Sequence, residues 1–325
     1  MTSKLYQSIL DSAVSVDRQF EKISLDELRA FQTSFVVPLS HPRSGKIERY
    51  AYVSAPVSAA FAEGKTLVLA DSVLRSLPWL KPEIPASATV NWLDPNETET
   101  KEQGSLDHFY EENVAGNGYA RIVAIGGGIV INAASYLAEK EGCELAYVPT
   151  TVLAMADAAI GGKVRANLRV DYGYKKHAYK SWYEPDCVVV ESRFLETIPD
   201  RQISVGMGEI IKQGVYQSRP LLDYLASDGF DPFHDRDALL KSVLWAAALA
   251  ANCLNVDPEE SKDGSHIIMR GAHDASDKIE EASHFIVPHG IAVAQAIRAE
   301  LIENASRLLQ TVETCMTKFH IPFEG

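Results

Sequence analysis

Short apolar runs punctuate the first half of the chain, and longer segments of helical period fill the second. Residues 65–71, 120–125, 143–148 and 186–191 are short, partly β-branched, and bounded by Gly, Pro, Asp or Ser, the signature of buried strands. Between the second and third of these lies an Ala-rich stretch, 129–140, with apolar residues at helical spacing. Strand, helix and strand in that order predict a βαβ unit of a parallel sheet. After about Leu195 the texture changes: 205–215, 237–254 and 290–309 carry apolar residues three and four apart, as helices with one buried face do. The pattern predicts an α/β domain over residues 1–192 followed by an all-helical domain over 193–325, with a ligand cleft where they meet. The first 35 or so residues give no clear element, and 40–45 has the composition of a turn.

The 325 residues suffice for about two domains, and 46% hydrophobic with 23% charged residues is ordinary for a folded protein. Lys and Arg total 31 against 44 Asp and Glu, a net charge of −13, which argues against nucleic acid or a membrane surface as partner. Cys143, Cys187, Cys253 and Cys315 show neither a C-x-x-C pair nor framework spacing, so free thiols in a reducing compartment are expected. The first 20 residues mix charges into their apolar positions, and a cytoplasmic location is expected. The most apolar stretch, 243–251, falls short of the roughly 20 residues of a membrane span and predicts a buried helix.

Gly126-Gly127-Gly128 stands directly after a predicted strand and before a predicted helix. Glycines there let the backbone approach a pyrophosphate, and the helix N-terminus offers unpaired N–H groups, so a dinucleotide is the natural ligand; a tight turn without ligand is the competing reading. Asp71 ends an earlier strand, where a carboxylate could accept ribose hydroxyls or simply lie in a solvated loop. A third strand runs into Thr150-Thr151, then Asp157 and Gly161-Gly162-Lys163, which would bring two hydroxyls and two charges to one sheet edge. Glu209 and Lys212, three apart in an apolar helix, read either as a surface ion pair or as a functional pair. With His273 and His289, Glu209 makes two imidazoles and a carboxylate, the ligand set of a catalytic zinc with one open position.

In order and spacing, the motifs GGG-x-x-x-N, PTT-x-L-x-x-x-D-x-x-x-GGK, FLETIP-x-R, G-x-x-EIIK-x-G and H-x(15)-HG resemble 3-dehydroquinate synthase and the wider sugar phosphate cyclase superfamily. The resemblance runs from about Lys65 to Ala296. It implies a Rossmann-like N-terminal domain, a helical C-terminal domain, and an NAD- and zinc- or cobalt-dependent enzyme that closes a phosphorylated ketose into a carbocycle with loss of phosphate. Glu209, His273 and His289 would hold the metal. NAD contacts would fall on Asp71, Gly127, Gly128 and Asn132, on Thr150, Thr151, Leu153 and Asp157, and on Thr197. Glu97 and Lys101 echo a further pair of cofactor contacts one residue out of register. Lys163 and Lys212 match lysines that meet the substrate's anionic and hydroxyl groups. A homodimer is implied.

The departures fall on the substrate side. Asn132 stands for an Asp, Asp277 for the second His of a G-H-x-x-x-H pattern, and Asn252, His266 and Arg270 for a Lys, an Arg and an Asn. A phosphate-binding Arg falls near Glu141, and a Lys-Asn pair near Lys176-His177. The expected substrate is therefore a sugar phosphate without a carboxylate, such as a heptulose or hexose phosphate, in a site rebuilt around Lys163, Lys176, His177, Lys212, His266, Arg270 and Asp277. Two alternatives remain: a metal-dependent alcohol or glycerol-phosphate dehydrogenase, which shares the glycine and PTT motifs, and a non-catalytic relative.

Overall fold

A computed structural model describes residues 3–24, 27–28, 56–171 and 173–324. The turn expected at 40–45 lies outside the described residues. In chain order the elements are α1 (Lys4–Lys22), β1 (Thr66–Asp71), β2 (Thr89–Leu93), α2 (Gln103–Asn113), β3 (Arg121–Gly126), α3 (Gly128–Glu141), β4 (Glu144–Pro149), β5 (Lys163–Val170), β6 (Gly173–Trp182) and β7 (Cys187–Val188). Helices follow: α4 (Arg193–Glu196), α5 (Asp200–Tyr216), α6 (Arg219–Ala226), α7 (Arg236–Val256), α8 (Ser265–Met269), α9 (His273–Ala282), α10 (His289–Glu303) and α11 (Leu309–Lys318).

Five strands pair in the order β2-β1-β3-β4-β7, all parallel. β3 sits at the centre with every residue buried, which is why its sequence reads as an unbroken apolar run. The 186–191 run, expected as a full strand, pairs over only Cys187 and Val188. β2, TVNWL, was not marked by the hydrophobic pattern, because this edge strand is only half-buried and keeps Thr89 and Asn91. The antiparallel hairpin β5–β6 was also unforeseen, although Val164 and Ala166 alternate with Lys163 and Arg165 along β5.

The N-terminal stretch that gave no clear element forms α1, with Ile9, Ala13, Val16 and Phe20 buried on one face. The sequence placed it within the α/β domain; it packs instead on the helical half. Phe20 stacks on Trp245 of α7 at 5.5 Å, and Asp17 Oδ1 accepts hydrogen bonds from Ser218 Oγ at 2.5 Å and Trp245 Nε1 at 2.9 Å. α7 coincides within two residues at each end with the helical segment expected over 237–254, and its 21 residues are long and apolar enough to cross a membrane. It is buried inside the protein, so its apolarity serves the core.

α5 and α10 approach closely, and glycine permits it. A Cβ at Gly208 would lie 1.8 Å from Gly290 O, and one at Gly290 would lie 1.8 Å from Val205 O. Each glycine is the immediate neighbour of a predicted metal ligand, Glu209 on α5 and His289 on α10.

Candidate active site

The carboxyl ends of β1, β3 and β4 form one sheet edge, and Asp71, the three glycines and Thr150 stand along it. Asp71 ends β1, Gly126 ends β3, and Thr150 follows β4, its N–H donating to Gly126 O at 3.1 Å. The three glycines differ in what surrounds them. A Cβ at Gly126 would meet the Val130 side chain at 2.7 Å, so internal packing demands that glycine. At Gly127 and Gly128 the nearest protein atoms to such a Cβ are Thr151 Cγ2 at 3.3 Å and Ala158 Cβ at 3.5 Å. Thr151 thus covers the Gly127 face closely, whereas Ala158 stands in ordinary contact with that of Gly128. Gly127 caps α3 without a side-chain hydrogen bond, leaving first-turn N–H groups for an anion. This cradle fits a dinucleotide pyrophosphate.

Several of the residues expected at the nucleotide have local work as well. Asp71 accepts from Val73 N at 3.1 Å, and its burial raises the carboxyl above its ordinary range. Thr151 Oγ1 accepts from Ala154 N, and Thr197 Oγ1 donates to Phe194 O. Asn132 uses both ends of its amide inside the protein, donating to Gly128 O at 2.8 Å and accepting from Arg165 N at 2.9 Å. Leu153 leads into a single π-helical turn, Ala154–Ala158, which carries Asp157. Lys101 lies 3.2 Å from Glu97 and 3.4 Å from His177 Nε2, and its carbonyl accepts from Asn167 N of β5 at 2.8 Å.

On the helical side, Glu209, His273 and His289 converge so that one ligand atom from each lies within 4.8 Å of the others. Both imidazoles are oriented by an acceptor behind them. His273 Nδ1 donates to Gly271 O at 3.1 Å, and His289 Nδ1 donates to Glu280 Oε1 at 2.7 Å. Each Nε2 is thereby turned toward Glu209, at 3.8 Å and 3.1 Å from Oε1. A ligating imidazole needs this arrangement, in which the second ring nitrogen is fixed by an acceptor. Ala272, in the left-handed conformation at φ 59°, turns the chain from Gly271 into His273. A Cβ at Gly271 would strike the Tyr216 ring at 2.5 Å.

Glu209 is 1% exposed, and neither of its carboxylate oxygens has a partner in hydrogen-bonding geometry, although Lys212 Nζ lies 2.6 Å from Oε2. Burial alone would raise this carboxyl; Lys212, His289 and His273 together hold it well below its ordinary range. Burial and the charge of Lys212 push His273 well below its usual value, leaving it neutral. Burial opposes a charge on His289 too, but Glu209 and Glu280 on either side lift it to about 9. Two Nε2 atoms and an unsatisfied buried carboxylate fit a zinc-like divalent ion with one position open, and such an ion would replace the His289 proton.

Lys212, fully buried, joins this centre to the sheet edge, with Asp157 Oδ1 3.4 Å from its ammonium. The surface ion pair that spacing allowed for Glu209 and Lys212 is thus an interior one. Lys176 lies 2.9 Å from Asp277 and 2.7 Å from Glu280, and Arg270 lies 2.8 Å from Asp274 and 3.5 Å from Asp277. His177, in the left-handed region at φ 50°, is pushed far below its ordinary value by burial and by Lys101 and Lys176. Among the described residues the His266 ring makes no hydrogen bond; only its backbone is engaged. Lys163 pairs with Glu260 at 2.6 Å. Glu280 and Glu260 were not marked by the sequence reading. Glu280 lies one helical turn past Asp277 on α9, so i,i+3 spacing could have found it, whereas Glu260 sits in a loop with no local signal.

Residues 95–205 match the family model described as 3-dehydroquinate synthase N-terminal. A 3-dehydroquinate synthase of Sulfurisphaera tokodaii is 30% identical over 218 residues, covering 63% of this chain and 60% of that protein. The chain spans about half to two thirds of the length of the curated relatives it matches. Among solved structures, a 2-epi-5-epi-valiolone synthase from Streptomyces hygroscopicus subsp. jinggangensis, with NAD+ and Zn2+ bound, is similar in fold with a TM-score of 0.72. It is 20% identical, over 85% of this chain and 81% of that one. A 2-deoxy-scyllo-inosose synthase complexed with carbaglucose-6-phosphate, NAD+ and Co2+ has a TM-score of 0.69 at 20% identity, over 89% of this chain and 83% of that one. The α/β half, the helical half and the ordered motifs between them agree with this company: the chain is similar to 3-dehydroquinate synthases in sequence and to sugar phosphate cyclases in fold.

Proposed function

We propose that this protein is an NAD- and metal-dependent sugar phosphate cyclase, a carbon–oxygen lyase that converts a phosphorylated ketose to a carbocycle with loss of phosphate. The reading rests above all on the buried Glu209 carboxylate, which faces two imidazoles already turned toward it by acceptors behind them. These three residues would hold a zinc or cobalt ion, and Gly127, Gly128 and the uncapped α3 N-terminus would hold the NAD pyrophosphate. A metal held there would supply Lewis acidity toward a substrate hydroxyl, and a bound NAD would supply a reversible hydride acceptor, the chemistry that loss of phosphate from a neighbouring carbon requires. Lys212, fixed between Glu209 and Asp157, places a permanent positive charge beside the reacting oxygens, and its complete burial keeps that charge out of bulk water. The resemblance extends the proposal to a homodimer, and four free cysteines accord with a reducing compartment such as the cytoplasm.

The substrate we propose is a heptulose or hexose phosphate lacking a carboxylate. Lys176 is already matched by Asp277 and Glu280, and Arg270 by Asp274 and Asp277, so a substrate carboxylate would find these cations neutralised and three carboxylates nearby. The test is phosphate release by the metal-loaded protein with NAD across heptulose, hexose and heptulosonate phosphates, with NADH followed in the same sample. Phosphate release from a carboxylate-free substrate without net NADH supports the reading. Turnover of the heptulosonate phosphate alone would make it a 3-dehydroquinate synthase, and accumulating NADH would make it a dehydrogenase.

A further inference from the structure

A second concentration of charge lies along β5, and its members are only partly matched. Val164 and Ala166 enter the core, so Lys163 and Arg165 emerge together on the opposite face of the strand. Lys163 Nζ is 2.6 Å from Glu260 Oε1. Arg165 is half-buried, and its Nη1 donates to the carbonyls of Val164 at 2.8 Å and Ser181 at 3.0 Å, which fixes the plane of the guanidinium. Among the described residues no carboxylate comes within ion-pair distance of Arg165, and its Nε and Nη2 donate to no protein atom. A guanidinium held partly out of water without an anion is a costly arrangement unless something else completes it.

Glu260 is held at this place under strain. It takes the left-handed conformation at φ 52°, which a glutamate rarely adopts. Its loop is pinned by Asp257, whose carboxylate accepts from Ser261 N, Ser261 Oγ and Ser265 N. Yet Glu260 Oε1 is buried without a partner in hydrogen-bonding geometry, so its carboxylate meets the cations by charge and leaves the fork of Arg165 unused. Arg270, the other nearby cation, is taken by Asp274 and Asp277. At the position where the resemblance would put a phosphate-binding arginine, the chain has Glu141, which accepts from Tyr110 Oη.

We propose that Lys163 and Arg165 form the phosphate-binding subsite of this chain, and that Glu260 occupies it as an internal carboxylate which a phosphate monoester displaces. A phosphate can take two parallel hydrogen bonds from the planar guanidinium fork and a third from the ammonium, which the carboxylate does not. The inference builds on the cyclase reading for the identity of the ligand, but its test does not depend on turnover.

The experiment is calorimetric titration of the full-length, metal-loaded protein with inorganic phosphate at low ionic strength. Arg165→Met should weaken binding about tenfold, the scale of losing a charge-assisted bidentate contact, with Arg165→Lys recovering part of it. Glu260→Gln should tighten binding several-fold by removing the competitor. These shifts have opposite signs, so a general loss of folding cannot mimic both, and thermal unfolding of each variant checks that directly. Equal affinity in wild type and Arg165→Met, no gain in Glu260→Gln, or no phosphate binding in either wild type or Glu260→Gln would overturn the proposal. If the phosphate shifts hold while no sugar phosphate is turned over, the subsite stands and the cyclase reading falls.

Discussion

The two halves of the candidate site are built by different means. On the sheet side the chain presents backbone: a glycine turn and an uncapped helix end, with the nearby side chains of Asp71, Thr151 and Asn132 largely engaged in holding their own turns. On the helical side it presents side chains, each fixed from behind by Gly271, by Glu280, or by the glycine contact between α5 and α10. A flexible ligand with many contacts tolerates the first kind of site. A small ion with three donors requires the second, because its affinity depends on donors placed before it arrives.

The contrast can be broken at its glycines. Gly290→Ala puts a methyl group 1.8 Å from a backbone carbonyl that cannot move without separating α5 from α10. We expect a loss of about 3 kcal/mol or more, at the upper end of overpacking costs, together with loss of metal. Gly127→Ala adds a methyl 3.3 Å from the movable Thr151 side chain, and stability should change by less than about 1 kcal/mol while NAD affinity falls. Urea unfolding and NAD titration of both variants separate the cases; comparable destabilisation would mean that the two sides are not built differently.

A smaller effect is expected at Glu280, which orients His289 and neutralises Lys176 without being a ligand. Glu280→Gln keeps the shape and removes the charge, and metal affinity should fall about tenfold to a hundredfold with the fold intact. Competition with a chromogenic chelator measures it. Unchanged affinity would reduce Glu280 to a partner of Lys176 alone.

Much of this division was legible in the sequence, because both kinds of site leave local marks. The strand–GGG–helix order is contiguous, and the pairs Gly208-Glu209 and His289-Gly290 couple each ligand to the glycine that lets its helix approach. What could not be read depends on contacts distant in the chain. Lys163 and Glu260 meet across nearly a hundred residues, and Lys176 reaches α9 from the hairpin. α1 is a different case: Ile9, Ala13, Val16 and Phe20 do recur at helical spacing, but the partner that covers them, α7, lies far along the chain. The short pairing of β7 shows the limit of composition, since residues 188–191 are buried for packing beyond the two residues of its ladder.

The central claim is that Glu209, His273 and His289 hold a metal ion, and elemental analysis of the purified protein beside its His273→Ala variant tests it most directly. We expect about one zinc or cobalt ion per chain in the wild type and almost none in the variant, with thermal unfolding showing that both are folded, as befits a catalytic rather than a structural site. A metal-free wild type after zinc loading, or equal metal content in the two proteins, would contradict the account.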